Sequence, residues 1–448
     1  MLLTFEVTNY RSFVDTTTLY FTKRSFKTNH PADGDWLAVV NPAIGIWGPN
    51  ASGKSNLLRA LISFQDAALR SFNSEEALKE LRQPHKLAAD DPVEFFVDSV
   101  IEDVRYRWFL KLGPDGVLGE DLLVNESRQW KKIISRYGTE VEFGSSSGII
   151  ASARSFIREA ASAWSSSVSA WLRTKNPGQY GPGFRKSVET VRPIWLGHSG
   201  ARGTSQWTVE ILKNDAWRSL AGRILDLADT GIREVGLVEK ELSPSQKEFY
   251  ETLNSIVKAR NADSELVELE IPDTESELEL VHGGDGGESF TLAFEEESDG
   301  TQVWVETAIP ALFTIAEGGA LVIDEIDSSL HPVLVRQLIG LFTSPDINTT
   351  GAQLLFTSHD TALLGNFPGP AVTPESAWFT EKTASQSSLF ALDEFRISDS
   401  NNIEKRYLQG AFGAVPDVNH TLIAEAFEDL AIGSTSESQS VSISRGDE

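Results

Sequence analysis

The sequence predicts an α/β fold in which the two ends of the chain form one discontinuous domain. Near the amino end, an apolar strand at 43–47 leads into a glycine-rich turn, and apolar residues with helical spacing follow over 55–72. Near the other end, a strongly apolar strand at 320–323 ends in two acidic residues. Between 92 and 124 the apolar residues alternate, which indicates an antiparallel β meander. Strands and helices at both ends, with a less regular middle, therefore predict one α/β domain that carries an insertion.

The same periodicities predict the remaining elements. Outside the middle of the chain, we expect strands at 2–8, 17–22, 289–296 and 353–357, and helices at about 300–316 and 332–343. In the middle, we expect serine-rich helical segments at 151–173, a Pro/Gly loop at 176–184, a helix near 244–260, and acidic loop or strand at 263–280.

Composition excludes several classes of site and partner. The 448 residues include 39 basic and 65 acidic side chains, for a formal charge of −26, which opposes non-specific binding to nucleic acid or to an anionic membrane. A local basic groove around Arg223, Arg233 and Lys240 stays open, so direct nucleic-acid binding is left undecided. Cysteine is absent, which excludes disulfides, thiol nucleophiles and cysteine-ligated metals.

No stretch of the sequence has the length and apolar character of a membrane span. The first twenty residues carry Glu6, Arg11 and Asp15 within an alternating pattern, which is not typical of a signal peptide. We therefore expect a soluble, cytoplasmic protein.

Residues 48–55 match the Walker A phosphate-binding pattern, with the sequence GPNASGKS. Its glycines let backbone N–H groups turn toward phosphates, and the helix that starts there adds its positive end. Lys54 would supply a charge to the β- and γ-phosphates, and the Ser55 hydroxyl would bind Mg²⁺. The expected nucleotide-binding residues of this segment are Asn50, Ala51, Ser52, Gly53, Lys54, Ser55 and Asn56.

A second motif, LVIDE at 321–325, has the Walker B arrangement of an apolar strand followed by two carboxylates. Asp324 would hold Mg²⁺ through water, and Glu325 would orient or deprotonate the attacking water. Adjacent acids at a strand end are also common on protein surfaces, but a Walker A loop upstream favours the catalytic interpretation. We expect the two motifs to lie close together, on neighbouring strands.

Two further segments complete the pattern. Ser298 and Gly300 lie at the start of the helix that precedes the acidic strand, where a helix amino terminus makes a second anion site. His359 follows the next buried strand and could donate a hydrogen bond to the γ-phosphate or to the attacking water. A lone histidine at a strand end is more often structural, but the order and spacing of all four elements favour a catalytic role here.

The four elements, in this order, resemble those of the ABC-type ATPases that include the SMC, Rad50 and RecF proteins. Within that class the chain resembles the bacterial AAA15-type ATPases, which are similar to overcoming-lysogenization-defect proteins and belong to abortive-infection and phage-defence systems. The segments that carry this resemblance are NYRSF at 9–13, GPNASGKSNLL at 48–58, ESDGT at 297–301, IDEIDSSLHP at 323–332, TSHD at 357–360, WFTEK at 378–382 and EKRYLQGAFG at 404–413.

The resemblance implies an ABC-type P-loop head with an antiparallel β meander and a mostly helical insertion. It implies a homodimer or higher oligomer in which the signature segment, 297–301, closes over the ATP of the other subunit. Residues 327–331 would be the D-loop along that interface, His359 the switch histidine, and Arg11 an arginine that approaches the nucleotide. Asp299 stands where transporter signatures carry glycine, which could weaken binding to the γ-phosphate or make it conditional.

Five segments are expected along the chain. They are an amino-terminal part of the ATPase head (1–75), an antiparallel β part (76–145), a mainly helical insertion for specificity or partners (146–280), a carboxy-terminal part with signature, Walker B and switch histidine (281–432), and a disordered acidic tail (433–448).

The predicted activity is Mg²⁺-dependent hydrolysis of ATP, with ATP rather than GTP taken from the resemblance. The favoured role is the sensor of an anti-phage or abortive-infection system that responds to a phage-derived trigger and controls a separate effector, such as a TOPRIM-like or other nuclease. A nuclease within this chain is disfavoured because no Asp-x-Asp pair follows His359. The alternative is an SMC- or RecF-like ATPase of DNA repair or chromosome maintenance, although long coiled coils and basic patches are missing from the sequence. A transporter subunit and a scaffold without turnover are also disfavoured.

Overall fold

The computed structural model describes residues 1–127, 129–196, 205–227, 231–242, 247, 274–283, 288–367, 369–397 and 402–415. The described helices are α1 (Lys54–Arg70), α2 (Glu76–Leu81), α3 (Ala151–Glu159), α4 (Ser167–Arg173), α5 (Gly181–Glu189), α6 (Gln206–Leu212), α7 (Asp215–Leu227), α8 (Asp299–Glu317), α9 (Pro332–Thr343) and α10 (Ile403–Leu408). The described strands are β1 (Leu2–Thr8), β2 (Thr17–Tyr20), β3 (Ala43–Trp47), β4 (Val93–Ile101), β5 (Val104–Gly113), β6 (Gly116–Asn125), β7 (Lys131–Tyr137), β8 (Glu140–Phe143), β9 (Val191–Trp195), β10 (Ile232–Glu241), β11 (Thr274–Gly283), β12 (Ser289–Ala293), β13 (Ala320–Asp324), β14 (Gln353–Thr357), β15 (Ala377–Thr383) and β16 (Gln386–Ala391).

One sheet of the described chain is antiparallel, in the order β2-β1-β4-β5-β6-β7-β8. It contains the predicted meander, and it buries alternate side chains against α1 because successive residues of a strand point to opposite faces. Phe95 and Trp108 lie on that buried face, and the ring of Phe64 from α1 stacks on them with centroid separations of 5.2 and 4.0 Å. The helix that begins at the glycine-rich turn is thus held by this sheet.

The second sheet has the order β16-β15-β3-β14-β13-β9, and β15, β3, β14, β13 and β9 run parallel. The expectation that the two Walker strands are neighbours is wrong, because β14 lies between β3 and β13. The loop after β3 and the start of α1 pass over the end of β14, so that Ser55 contacts Asp324 at the end of β13. Since the carboxyl ends of parallel strands meet at one edge, all the predicted motifs of these strands still lie together.

Strand β9 comes from the middle of the chain and pairs with β13, so the middle contributes directly to the parallel sheet. No local pattern predicts this strand, since it is short, half-exposed and contains Pro193. Proline is tolerated on an edge strand, whose outer N–H groups have no partner strand.

The rest of the middle mixes helices with a small sheet. The expected helical stretch at 151–173 is two helices, α3 and α4, and α5 begins inside the expected loop at 176–184 with Pro182 in its first turn, where proline is accepted. Strands β10, β11 and β12 form an antiparallel sheet ahead of α8. The helix expected near 244–260 falls almost entirely outside the described residues, and the tail at 433–448 falls wholly outside them.

The hairpin β15–β16 closes the other side of the parallel sheet. Phe379 of β15 stacks on Tyr407 of α10 at 5.1 Å and on Phe412 at 5.9 Å, so the described carboxy-terminal part packs on this hairpin. None of the described helices is long and apolar enough to cross a membrane.

Candidate functional site

The loop after β3 has a backbone that glycine alone can provide at two positions. Gly48 has φ of 151° and Gly53 has φ of 114°. A Cβ on Gly48 would lie 2.3 Å from the carbonyl oxygen of Thr380, and one on Gly53 would lie 2.7 Å from Ser387 Oγ. Both contacts are far shorter than a van der Waals contact, so the glycines let the loop lie directly on the β15–β16 hairpin.

The Lys54 side chain is buried beneath this loop. Its Nζ donates to the carbonyl oxygens of Gly48 and Pro49, at 2.8 and 3.2 Å. Burial lowers the pKa of Lys54, and the charges of Asp324, Glu325 and Asp327 oppose that shift. The ammonium group is therefore held at the centre of the loop, where N–H groups of a phosphate-binding turn converge.

The hydroxyl of Ser55 and the carboxylate of Asp324 are in direct contact, although 268 residues separate them in the chain. Ser55 Oγ donates to Asp324 Oδ1 at 3.0 Å, and Thr357 Oγ1 donates to the same oxygen at 2.7 Å. Thr357 in turn accepts from the Glu325 backbone N–H at 2.7 Å. Thr357, the last residue of the strand between β3 and β13, thus holds the Asp324 side chain and the Glu325 backbone in place by hydrogen bonds.

The donor set suits Mg²⁺, which prefers oxygen ligands and commonly takes one or two protein oxygens together with phosphate oxygens. Ser55 and Asp324 would supply such a pair. No cluster of three or more His, Cys, Asp or Glu side chains that could hold a metal is found among the described residues.

Glu325 and His359 reach the same cleft from the ends of β13 and β14. Glu325 has φ of 58°, a strained conformation for a non-glycine residue that occurs often at functional sites. The His359 backbone N–H donates to both Asp327 carboxylate oxygens, at 3.2 Å each. Burial and the Lys54 charge lower the pKa of His359, against the opposing effect of Asp327 and the Walker acids. The imidazole is therefore held largely neutral near neutral pH.

A cleft of about 350 Å³ joins these groups, lined by Asn50, Ala51, Ser52, Gly53, Lys54, Ser55, Asn56, Glu325, His359 and Lys382. The structure thus brings together the predicted loop residues, Glu325 and His359, with Asp324 directly beneath Ser55. Lys382 is an addition that the sequence analysis did not assign to the site.

Arg11 does not line the cleft but contacts a residue that does. Its Nη1 donates to Asn56 Oδ1 at 3.1 Å, and its Nε donates to Gln83 Oε1 at 2.8 Å. Asn56 also donates to Ser12 Oγ at 3.0 Å. Arg11 is therefore fixed against the first turn of α1, one residue away from the cleft.

Ser298 and Gly300 lie elsewhere. Ser298 caps α8, its Oγ accepting from the Thr301 backbone N–H at 3.2 Å, and its side chain is exposed. A Cβ on Gly300 would lie 3.2 Å from the carbonyl oxygen of Ser329, so the helix start touches the segment that follows the Walker B acids. Neither residue lines the cleft of its own chain.

Sequence reasoning missed Thr357 and Lys382. Thr357 precedes His359 by two residues, and its position at the end of a buried strand was the available signal for a polar side chain at the sheet edge. Lys382 lies in the segment WFTEK, which carries the family resemblance but no phosphate-binding motif. No local sequence pattern indicates that β15 lies beside β3.

The chain was compared with curated proteins, solved structures and protein families. No curated protein matches the sequence. The SMC head domain from Thermotoga maritima is a similar solved structure, with 12% identity, a TM-score of 0.41, and coverage of 88% of this chain and 99% of that one. A family model described as "AAA domain, putative AbiEii toxin, Type IV TA system" matches residues 44–365, well over half of the chain. The α/β fold with an antiparallel β meander that the sequence predicted is confirmed, and the chain belongs to this family of AAA-domain ATPases.

Proposed function

We propose that this protein hydrolyses ATP with Mg²⁺ and works as a head-to-tail dimer with nucleotide between two copies. The observation that supports this most directly is the convergence of Lys54, Glu325 and His359 on one cleft, above the Ser55–Asp324 hydrogen bond. Phosphoryl transfer requires mainly positioning and charge stabilisation, and these residues supply both.

Each residue has a defined task in this proposal. Lys54 exchanges its carbonyl partners for oxygens of the β- and γ-phosphates. The Ser55 hydroxyl would bind Mg²⁺ directly and Asp324 would hold it through water, and the ion would offset charge on the phosphates. Glu325 accepts a proton from the attacking water at its carboxylate, and the neutral His359 donates a hydrogen bond to the γ-phosphate or to that water.

The proposal of a dimer comes from the resemblance of residues 297–301 to the signature segment of ABC-type ATPases, and the position of that segment supports it. The exposed Ser298 and the adjacent Gly300 form a helix start that is not part of the cleft of the same chain. In a head-to-tail pair, that helix start would present its backbone N–H groups to the γ-phosphate held by the other copy. One Walker half and one signature half would then form each complete site.

In the cell, the proposed role is a sensor that controls a separate effector, such as a nuclease, in response to a phage-derived trigger. The family description names a putative toxin of a type IV toxin–antitoxin system, which supports a role in such a system rather than in DNA repair or chromosome maintenance. Strand β9, from the middle of the chain, pairs with β13, where Trp195 lies opposite Asp324, so a partner bound to the middle would act close to the cleft.

The test of catalysis is the rate of phosphate release by the purified chain with ATP or GTP, with and without Mg²⁺. Glu325→Gln removes the base but keeps the size of the side chain, so turnover should fall by about two orders of magnitude or more while nucleotide binding persists. Asp346→Asn, which changes an exposed acid outside the cleft, is the matched control and should retain wild-type turnover. Unchanged turnover in Glu325→Gln would remove Glu325 from this role, and no phosphate release by wild type would overturn the proposed activity.

A further inference from the structure

Lys382 reaches the cleft from a strand that carries neither Walker motif. Strand β15 runs parallel to β3, with Trp378 opposite Ile46 and Phe379 opposite Trp47. The chain beyond Phe379 therefore emerges at the edge where β3 becomes the phosphate-binding loop. This register alone places Lys382 beside the loop.

The end of β15 is attached to the loop by close contacts. Thr380 Oγ1 and Ser52 Oγ are hydrogen-bonded at 2.6 Å, and the Thr380 carbonyl oxygen occupies the space that a side chain on Gly48 would need. Ser387, the register partner of Lys382 on β16, has its Oγ 2.7 Å from the position of a Cβ on Gly53. The backbone that carries Lys382 is thus positioned against both ends of the loop.

The Lys382 side chain lines the cleft and is exposed to solvent there. Within the described part of the chain, no carboxylate forms an ion pair with it. Its neighbour Glu381 points to the opposite face of the strand, with its carboxylate near Gly413, as strand alternation requires. An ammonium group without an acidic partner therefore faces the phosphate-binding loop.

The charge balance of the cleft favours an anion at this place. Asp324 and Glu325 add negative charge, whereas Lys54 is the one lysine of the loop. A nucleoside triphosphate brings several further negative charges. A second cation would offset them, and the overall charge of −26 means that such a local cation is not part of a general basic surface.

We propose that Lys382 binds phosphate oxygens of the nucleoside triphosphate, as a second lysine that approaches from β15 beside Lys54. The proposal rests on the proposed nucleotide site. If Lys382 has this role, the β15–β16 hairpin is part of the nucleotide-binding site. The contribution of Lys382 to affinity then depends on the number of phosphates that the ligand carries.

The test compares Lys382→Gln and Lys382→Arg with wild type in equilibrium binding of MgATP, MgADP and AMP. A charged hydrogen bond to phosphate contributes enough that Lys382→Gln should weaken MgATP binding about tenfold and raise KM more than it lowers kcat. AMP should bind equally to all variants, and Lys382→Arg should retain most of the MgATP affinity. Lys405→Gln, at an exposed lysine on α10 outside the cleft, is the control and should bind MgATP as wild type does.

Equal MgATP affinity in Lys382→Gln and Lys405→Gln, with wild type binding normally, would overturn this inference and leave the proposed ATPase intact. A wild-type chain that binds no nucleotide would instead overturn the ATPase and this inference together. The melting temperature of each variant without nucleotide shows whether the substitution has disturbed the fold. If Lys382→Gln and Lys382→Arg both had a lower melting temperature and lost MgATP affinity equally, a role for the charge would also be contradicted.

Discussion

The cleft and the start of α8 differ in how far a single chain completes them. Around the cleft, Ser55 in the first turn of α1 and Thr357 at the end of β14 both donate to the carboxylate of Asp324 at the end of β13. At the start of α8, Ser298 bonds within its own helix and faces solvent. In the proposed dimer, the chain therefore assembles one half of an ATPase site internally and presents the other half outward.

The two regions are also supported by different parts of the molecule. The cleft rests on the β15–β16 hairpin through Thr380 and Ser52. The start of α8 is connected to the small sheet from the middle of the chain, where His282 Nε2 lies 2.5 Å from Glu297 Oε1 and the His282 ring stacks on Phe290 at 5.2 Å. A change in the middle would therefore reach the start of α8 before it reaches the phosphate-binding loop.

The largest expected effect on turnover comes from mixing two inactive variants, one changed in the cleft and the other at the start of α8. Lys54→Ala should lose ATP affinity and Ser298→Arg should bind ATP, and each alone should have almost no turnover. Mixed together, they should recover activity, because one of the two sites in a head-to-tail heterodimer then has an intact cleft and an intact signature. A mixture of Lys54→Ala with Glu325→Gln should stay inactive, since both defects lie in the cleft half. Phosphate release from the mixtures decides this, and equal inactivity of both mixtures would contradict the head-to-tail arrangement.

Some residues of the cleft follow from the sequence alone, and others do not. Lys54, Ser55, Asp324 and Glu325 lie in short motifs directly after apolar strands, so their place at the sheet edge follows from local pattern. The position of β14 between the Walker strands does not follow, because strand order depends on pairing between distant segments. Lys382 was missed for that reason.

Strand β9 was missed for a different reason. Its residues are partly exposed and include Pro193, so neither the alternation of a half-buried strand nor the continuous apolar run of a central strand is present. The edge of the parallel sheet formed by β9 is consequently the part of the sheet that local sequence patterns predict least well.

A smaller effect is expected at His359, within the cleft. Its pKa is lowered from the ordinary value of 6.5, so at about pH 7.5 the neutral imidazole is the hydrogen-bond donor. His359→Ala should lower kcat by about a hundredfold, the scale of losing one donor to a transition state, whereas His359→Gln keeps a donor and should lose less. Rates measured from about pH 7 to 8.5 should change in parallel for wild type and His359→Gln. A titration step in this range that only wild type shows would contradict a neutral histidine.

The smallest effect is expected where the middle of the chain meets the signature. His282→Gln weakens the contact to Glu297, which immediately precedes the capping Ser298, so the start of α8 should be held less firmly. We expect kcat to fall about fivefold, the scale of one hydrogen bond, with unchanged ATP affinity because the cleft is untouched. His30→Gln is the matched control, since His30 is hydrogen-bonded to Asn125 at 2.8 Å beside the antiparallel sheet and should leave kcat unchanged. Weaker ATP binding in His282→Gln, or an equal fall of kcat in both variants, would show that the two regions are not supported separately.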